Sequence, residues 1–542
     1  MYINFSDIPA HQNLFLDYLH EFENVERFYG KNFRAADQYL PFFQKLSEKE
    51  RPHRQLVQEI VRSQYSVQTL SKKTVQNIEL LGSKKTIIVA TGQQLGIFGG
   101  PLYTIYKSIT AIKLCAHLKE KYDEFNFVPL FWLEGDDHDY DEARNFSTLS
   151  SENQILNLKY DDGQLEEVNR GAIGFLKFNQ NLENVFTELD AGLRQTEFKA
   201  PLLELLRSIY QPEKTFLESF RELMIHLFDE YGLIIFNPTD VKVKKVLSPL
   251  FTKEITEFGN HTGLLVERSA ELEEVYHAQV KVKPINLFFI EENERLSVEP
   301  IENGEYRLKG KRKKFSQEEL LKQIELSPEK FSPSVLLRPI CQDFLFPTAF
   351  YVGGPGEISY FAQVSPLYGI YDIEEPFIYP RSSATIVEKG VKTILEKNDL
   401  QYVDIFTEED ELIQKIVAAS SELNLEALFQ NSSEEISKSL HQLNQILPEL
   451  DKTLGDLTLK SKQRIEETLN YLKIKALESE KRKYETTIRQ VSKVRNVLFP
   501  NSNLQERELN WIYFANKYGI DIVKWIFNEL TINKFEHQIL EM

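Results

Sequence analysis

Apolar and polar positions alternate at helical spacing from the N-terminus to about residue 80, most plainly through Leu56–Leu80. The texture then changes. Thr86-Ile87-Ile88-Val89-Ala90 is short, uncharged and β-branched, which predicts a buried strand that gives way to a turn at Thr91. A helix is predicted after Pro101, with Leu102, Ile105, Ile109, Ile112 and Ala116 as its apolar stripe. Phe127–Leu133 is a second strand-sized apolar run. Strand, glycine-rich turn, helix and strand in this order predict a βαβ unit and a parallel sheet.

Residues from about 160 to 230 are polar with helical patterning, and Gly232–Pro238 reads as another buried strand with a loop after it. Between 281 and 312, Asn286–Ile290, Arg295–Val298 and Tyr306–Leu308 are short alternating runs separated by Asn and Gly, which predicts a small antiparallel meander inserted into the core. Parallel-sheet texture returns at Val335-Leu336-Leu337, Ala349–Val352 and Phe377-Ile378-Tyr379. From about 384 onward the chain is nearly all helix. Leu450, Leu454, Leu457, Ile465, Leu469 and Leu472 recur at helical spacing, and Ile488, Val491, Val494 and Leu498 continue the stripe beyond the polar stretch Glu478–Glu485. A long helix or helical hairpin with coiled-coil character follows, and with it a homodimer through these helices.

Composition narrows the function. At 42% hydrophobic, the 542-residue chain is no disordered polymer, and its length predicts several domains. A net charge of −18 disfavours a nucleic-acid coat, which needs a cationic face. Cys115 and Cys341 are the only cysteines, too few for a disulfide framework or a cysteine-built zinc site, so no structural zinc is expected. No apolar run approaches the roughly 20 residues that span a bilayer. The N-terminus has no basic segment followed by an apolar one. A cytoplasmic protein with no membrane and no nucleic-acid partner is expected.

Three clusters carry candidate chemistry. The turn Thr91–Pro101 contains Gly92, Gly99 and Gly100, whose backbone can approach an anion, and Gln93 and Gln94 add amide donors and acceptors. Tyr103 and Lys107 lie four apart on the helix that follows, off its apolar stripe, where Lys107 can face a phosphate. The spacing is neither that of a phosphate-binding P-loop nor that of a dinucleotide fingerprint. The second cluster runs from Trp132 through Glu134, Asp136, Asp137, His138 and Asp139, after the second predicted strand. Ligands of open α/β sheets bind outside the carboxyl ends of strands, so the two clusters should share a crevice. Crowded carboxylates need cations, and Mg²⁺ held with nucleotide phosphates is one answer, an ammonium another. His138 is a candidate acid or base. The cheaper reading of Asp139, Asp141 and Glu142 is a solvated loop capping a helix. The third cluster joins Arg338, Gln342 and Asp343 to Gly353, Gly354, Glu357 and Tyr360, a second strand–Gly-Gly-Pro–helix turn, with Arg381 and Ser382 beyond it. Arg338 and Arg381 suit carboxylate or phosphate recognition. The basic run Lys481-Arg482-Lys483 reads as a solvated helix face.

The segments TGQQLGIFGGPLYTIYK at 91–107, WLEGDDHDYDE at 132–142 and FYVGGPGEISYFAQ at 350–363 together resemble the BshC family, the proposed cysteine ligases of bacillithiol biosynthesis. LRPICQD at 337–343, YPRSSAT at 379–385 and LQERELN at 504–510 fit the same family. The resemblance covers essentially the whole chain. It implies a Rossmann-like parallel-sheet core with connecting-peptide insertions and a C-terminal α-helical coiled-coil domain. On that plan residues 1–160 hold N-terminal helices and the first part of the core, 161–230 a helical insertion and 231–260 a core segment. Residues 261–330 hold an insertion with a small antiparallel sheet, 331–385 the second part of the core and 386–542 the coiled-coil domain.

The resemblance also implies an amide-forming ligase that joins L-cysteine to glucosaminyl-malate, with ATP activating the cysteine carboxylate. Asp137 and His138 would handle the attacking amine, and Lys107 would stabilise developing negative charge. Gln93-Gln94-Leu95-Gly96 stands where related synthetases carry His-x-Gly-His, and Arg381-Ser382-Ser383 is the nearest match to their lysine-rich loop. Those departures motivate a second reading, a non-catalytic accessory protein that binds a nucleotide or pathway intermediate. A third is a metal-dependent hydrolase using the acidic loop.

Overall fold

The structure is a computed structural model that describes residues 1–9, 11–420, 425–483 and 485–542, with the backbone alone described at 303, 417–420, 480, 481 and 483. Of the predicted basic run, Lys481 and Lys483 therefore lie outside the described side chains. The chain divides into two compact units. The first comprises Met1–Ile386 and Asn503–Leu540, and the second Val387–Ser502 with Glu541–Met542.

The core of the first unit is a five-stranded, all-parallel sheet. Its strands are β1 (Thr86–Gln94), β2 (Asn126–Glu134), β3 (Ile234–Phe236), β4 (Thr348–Gly353) and β5 (Phe377–Pro380), in the spatial order β5-β4-β1-β2-β3. The predicted βαβ unit is present: α1 (Tyr103–Lys121) connects β1 to its parallel neighbour β2. β1 runs four residues further than its β-branched run predicts. Thr91, Gly92, Gln93 and Gln94 stay in the ladder because β2 is equally long and pairs them with Phe131, Trp132, Leu133 and Glu134. Strand order reverses at β1, since the chain builds β2 and β3 on one side and β4 and β5 on the other. Crevices at such reversals are where α/β sheets bind ligands.

Helix α1 departs from the amphipathic expectation. Thr104, Lys107, Ser108 and Thr110 are buried along with its apolar stripe. The segment 503–540 covers the face that periodicity assigns to solvent, with Leu102 N–H donating to Leu509 O and Lys113 reaching Leu530 O. The buried hydroxyls of Ser108 and Thr110 turn back onto the carbonyls of Thr104 and Tyr106, so their burial leaves no donor unsatisfied.

Two insertions interrupt the core. Between β2 and β3 lie a β-hairpin (Asn145–Leu149 with Ile155–Lys159) and three helices, Leu182–Gly192, Lys199–Ile209 and Phe216–Phe228. Between β3 and β4 the 33-residue helix α2 (Val241–Glu273) leads into the antiparallel meander, which is five-stranded. Its last strand, Phe331–Pro333, pairs with Leu287–Glu291. The predicted strand at Val335-Leu336-Leu337 is absent: these residues turn into helix α3 (Arg338–Leu345), whose first turn accepts Pro339. Helix α4 (Pro355–Ile370) follows β4 directly.

The predicted all-helical tail is interrupted in the same way. Ser383–Val387, His537–Glu541 and Tyr2–Ile3 form a small sheet. The second unit contains the helical hairpin, α5 (Leu425–Leu450) and α6 (Thr453–Lys483). Leu428, Leu443, Ile446, Leu457 and Leu472 remain exposed on the hairpin.

Candidate active site

The carboxyl ends of β1, β2 and β4 open into a cavity of about 510 Å³, walled by α1, α4, the acidic loop after β2 and the meander. Lys107 of α1 lies directly above the strand reversal. Its ammonium donates to Gly92 O (3.0 Å) and Gln93 Oε1 (2.8 Å), and pairs with Glu357 Oε2 of α4 (2.5 Å). All three N–H bonds are therefore taken, so Lys107 clamps the site rather than presenting a free charge to an oxyanion. Burial pulls its pKa down, and Glu357 resists that shift. Glu357 is half-buried, but Lys107, the Gly354 N–H and the Tyr351 hydroxyl hold its carboxyl below the usual range. Gly92 has no room for a side chain, because a Cβ would lie 2.9 Å from Trp132 O on the neighbouring strand.

Three carboxylates of the acidic loop each have their own partner. Glu134 pairs with Arg338 Nε at 3.0 Å, Asp136 is bonded to the buried Lys244 of α2, and Asp137 accepts from the His138 N–H at 2.7 Å. Burial pushes the Glu134 carboxyl up to about 7; Arg338 opposes this, and Asp137 and Asp136 add to it. Asp137 moves the other way: burial is outweighed by its bonds to His138 and the charge of Arg295. The loop thus holds a protonatable carboxyl next to an ionised one, the arrangement that separates acid and base roles. Arg295, from the meander, donates to His138 Nδ1 (3.1 Å), Ser332 Oγ (2.9 Å) and Pro333 O (2.8 Å), and stacks 3.7 Å from the Phe288 ring centre. A guanidinium only donates, so towards Arg295 Nδ1 of His138 is the acceptor; the same nitrogen lies 3.4 Å from Asp137 Oδ1, and Nε2 is left for the cavity.

The expected residues divide in two. Gly92, Gln93, Gln94, Tyr103, Trp132 and Gly354 line the cavity, as do Arg338, Tyr360 and Arg381 beside the groups already described. Arg338 is held by Gln342 Oε1 and the Tyr360 hydroxyl, and Arg381 by Glu506 Oε1 at 2.6 Å. The others lie elsewhere. Thr91 is buried in the sheet with its hydroxyl on Val352 O. Gly99 and Gly100, both at positive φ, form a corner tied to Asn510 and Trp511, which take the carbonyls of Phe98 and Gly100. Asp139 caps the short helix Tyr140–Arg144 through the Glu142 N–H, as the cheaper reading has it. Gln342 and Asp343 stand behind Arg338, with Asp343 pushed up to about 6 by burial. Gly353 ends β4 outside this cavity, and Ser382 is spent on Thr531 O. Cys341 is buried on α3, and burial raises its thiol far from nucleophilic use.

Lys244, Lys283, Arg295 and Arg507 escape the sequence reading. Lys244 alone left a signal, a lysine at helical spacing with Leu247 and Phe251 on the apolar face of α2. Glu134 and Asp136 are each committed to a separate cation and Asp137 to the His138 N–H, and among the described residues no three His, Cys, Asp or Glu side chains converge as metal ligands. The acidic loop therefore does not fit a metal, and no step is derived through one.

A parallel sheet with a charged cavity at its strand reversal, and a separate helical hairpin, define a Rossmann-like α/β protein with a small-molecule site and a coiled coil. The chain belongs to the BshC family of bacillithiol biosynthesis. Residues 1–382 match the family's N-terminal Rossmann-like domain, and 384–542 its C-terminal coiled-coil domain. A relative from Salinibacter ruber is 33% identical over 98% of this chain and 97% of its own length. One from Chloroherpeton thalassium is 33% identical over 97% and 96%, and one from Flavobacterium psychrophilum 30% identical over 89% and 88%. All three carry the name "Putative cysteine ligase BshC". Among the described residues no helix is long and apolar enough to cross a membrane.

Proposed function

We propose that the chain is a cysteine ligase of bacillithiol biosynthesis, forming the amide between the carboxyl of L-cysteine and the amine of glucosaminyl-malate in this cavity. The observation that carries this reading is Glu134, set at the end of β2 beside Arg338 inside the cavity of a BshC-family chain, where burial pushes its carboxyl up to about 7. An attacking amine must lose a proton, and a carboxyl poised near neutrality is suited to take it. Glu134 is the base in this reading. His138 serves as a donor through Nε2–H, and Lys107 with Glu357 keeps β1 and β4 in register around the reacting groups. ATP, when bound, supplies the leaving group that a free carboxylate lacks. The exposed leucines of α5 and α6 support pairing with a second copy as a homodimer.

The test is incubation of purified protein with ATP, cysteine and glucosaminyl-malate, with the thiol product read by mass spectrometry. Product with the wild type and at least a hundredfold less with Glu134→Gln is expected. No product under any reducing condition or with any divalent ion added overturns the reading.

A further inference from the structure

The cations that line the cavity divide into satisfied and unsatisfied groups. Lys107 has three acceptors, and Arg295, Arg338 and Arg381 are each held by side chains or carbonyls of the protein. Their charges are spent on the fold. Two cations of the inner walls are not. Arg507 follows the buried Glu506 in the segment that re-enters the first unit. Glu506 turns inward to bond Arg381 and the Ala384 N–H, while Arg507 is left exposed on the cavity wall. Its side chain has no hydrogen bond or ion pair among the described residues; Glu142 senses its charge from beyond ion-pair distance. Lys283, half-buried ahead of the meander, has only Ser297 Oγ at 3.4 Å and lies 4.0 Å from the Phe288 ring centre. A cation left half-buried beside other cations is costly unless an anion joins it.

We propose that Arg507 and Lys283 are the anion-recognition groups of the cavity, selecting a ligand that carries two oxyanions, carboxylates or phosphates, one for each wall. The planar guanidinium of Arg507 takes one oxyanion through two parallel N–H bonds, and the Lys283 ammonium meets the other as a point charge. Selection by these two groups explains how a chain of net charge −18 admits an anionic substrate. The cavity presents unneutralised positive charge at Arg507 and Lys283 beyond an otherwise self-paired interior. Lys281 also lines the cavity and, like Arg507, is exposed; it serves as the control for a diffuse positive field.

The inference rests on the ligase reading only for treating this cavity as the substrate site. An anion titration needs no turnover, so the two can fail separately. Calorimetric titration of the full chain with malate, and separately with inorganic pyrophosphate, is the experiment. Binding of either anion by the wild type, weakened at least tenfold in Arg507→Gln and in Lys283→Gln and partly restored in Arg507→Lys, is expected. Malate binding assigns the site to carboxylates and pyrophosphate binding to phosphates. The proposal is overturned if the wild type binds neither anion or if both glutamine variants bind as the wild type does. It also fails if Lys281→Gln weakens binding as much as Arg507→Gln, since the effect would then be a diffuse field. Unchanged melting curves of the variants exclude misfolding as the cause.

Discussion

The Lys107 ammonium and the Glu357 carboxylate meet at 2.5 Å, joining the helix after β1 to the helix after β4 across the point where strand order reverses. Both side chains are largely withdrawn from water. A buried pair of this kind is weak as net stabilisation, but removing one partner strands the other.

Lys107→Met is therefore expected to lower unfolding free energy by about 3–5 kcal/mol, as an uncompensated carboxylate is left at Glu357. The double variant Lys107→Met/Glu357→Leu should regain much of that loss in urea titrations and still lack activity. Equal instability of the single and double variants would show that the pair is not what the site depends on.

Glu134 sets the pH response. Its carboxyl titrates near 7 when folded, against 4.5 for the unpaired group, so between these limits the folded chain holds a proton that the unfolded chain has released. Its contribution to stability is full below the unfolded value, falls as pH rises towards about 7, and is flat above. Glu134→Gln should remove this slope, worth up to about 3 kcal/mol, from urea midpoints measured at pH 5 and pH 8. The same variant should lose the rising limb of the pH–rate profile near 7.

His138 and Glu134 are separable by substitution. With Nδ1 engaged by Arg295, His138 contributes a donor, and His138→Gln preserves one. Its kcat should fall less than about tenfold, against the 10²–10⁴ that loss of a general base typically costs. A deeper loss in His138→Gln than in Glu134→Gln would reverse the assignment.

The segment Asn503–Leu540 is part of the first unit, although it follows the helical hairpin in the chain. It caps the Phe98–Gly100 corner through Asn510 and Trp511 and supplies Glu506 to Arg381. A chain ending at Ser502 should fail to give a cooperative melt for the first unit by circular dichroism.

The proposed homodimer pairs through the exposed hairpin leucines, so charge placed there is expected to break it. Leu457→Asp with Leu472→Asp should shift sedimentation from dimer to monomer without changing the melt of the first unit. A wild type that sediments as a monomer removes the dimer from the account.

Sequence patterning alone determined the parallel core, the meander, the helical character of the C-terminal region and the residues that carry the family resemblance, because each is written in local periodicity or in a contiguous motif. It also placed Gly92 and Glu134 at strand ends, where an α/β sheet binds ligands, and Glu357 on the helix after the Gly-Gly-Pro turn. Local pattern misjudged Val335-Leu336-Leu337, whose apolar run is buried as a turn and helix start, and the solvent face of α1, which a distant segment covers. The pairing of charges was decided only by tertiary structure. Asp136 finds Lys244 at 108 residues' separation, and His138 finds Arg295 at 157. Whether a carboxylate is neutralised, raised towards neutrality or left as a cap depends on distance and burial in space, and neither is encoded in the spacing of residues along the chain.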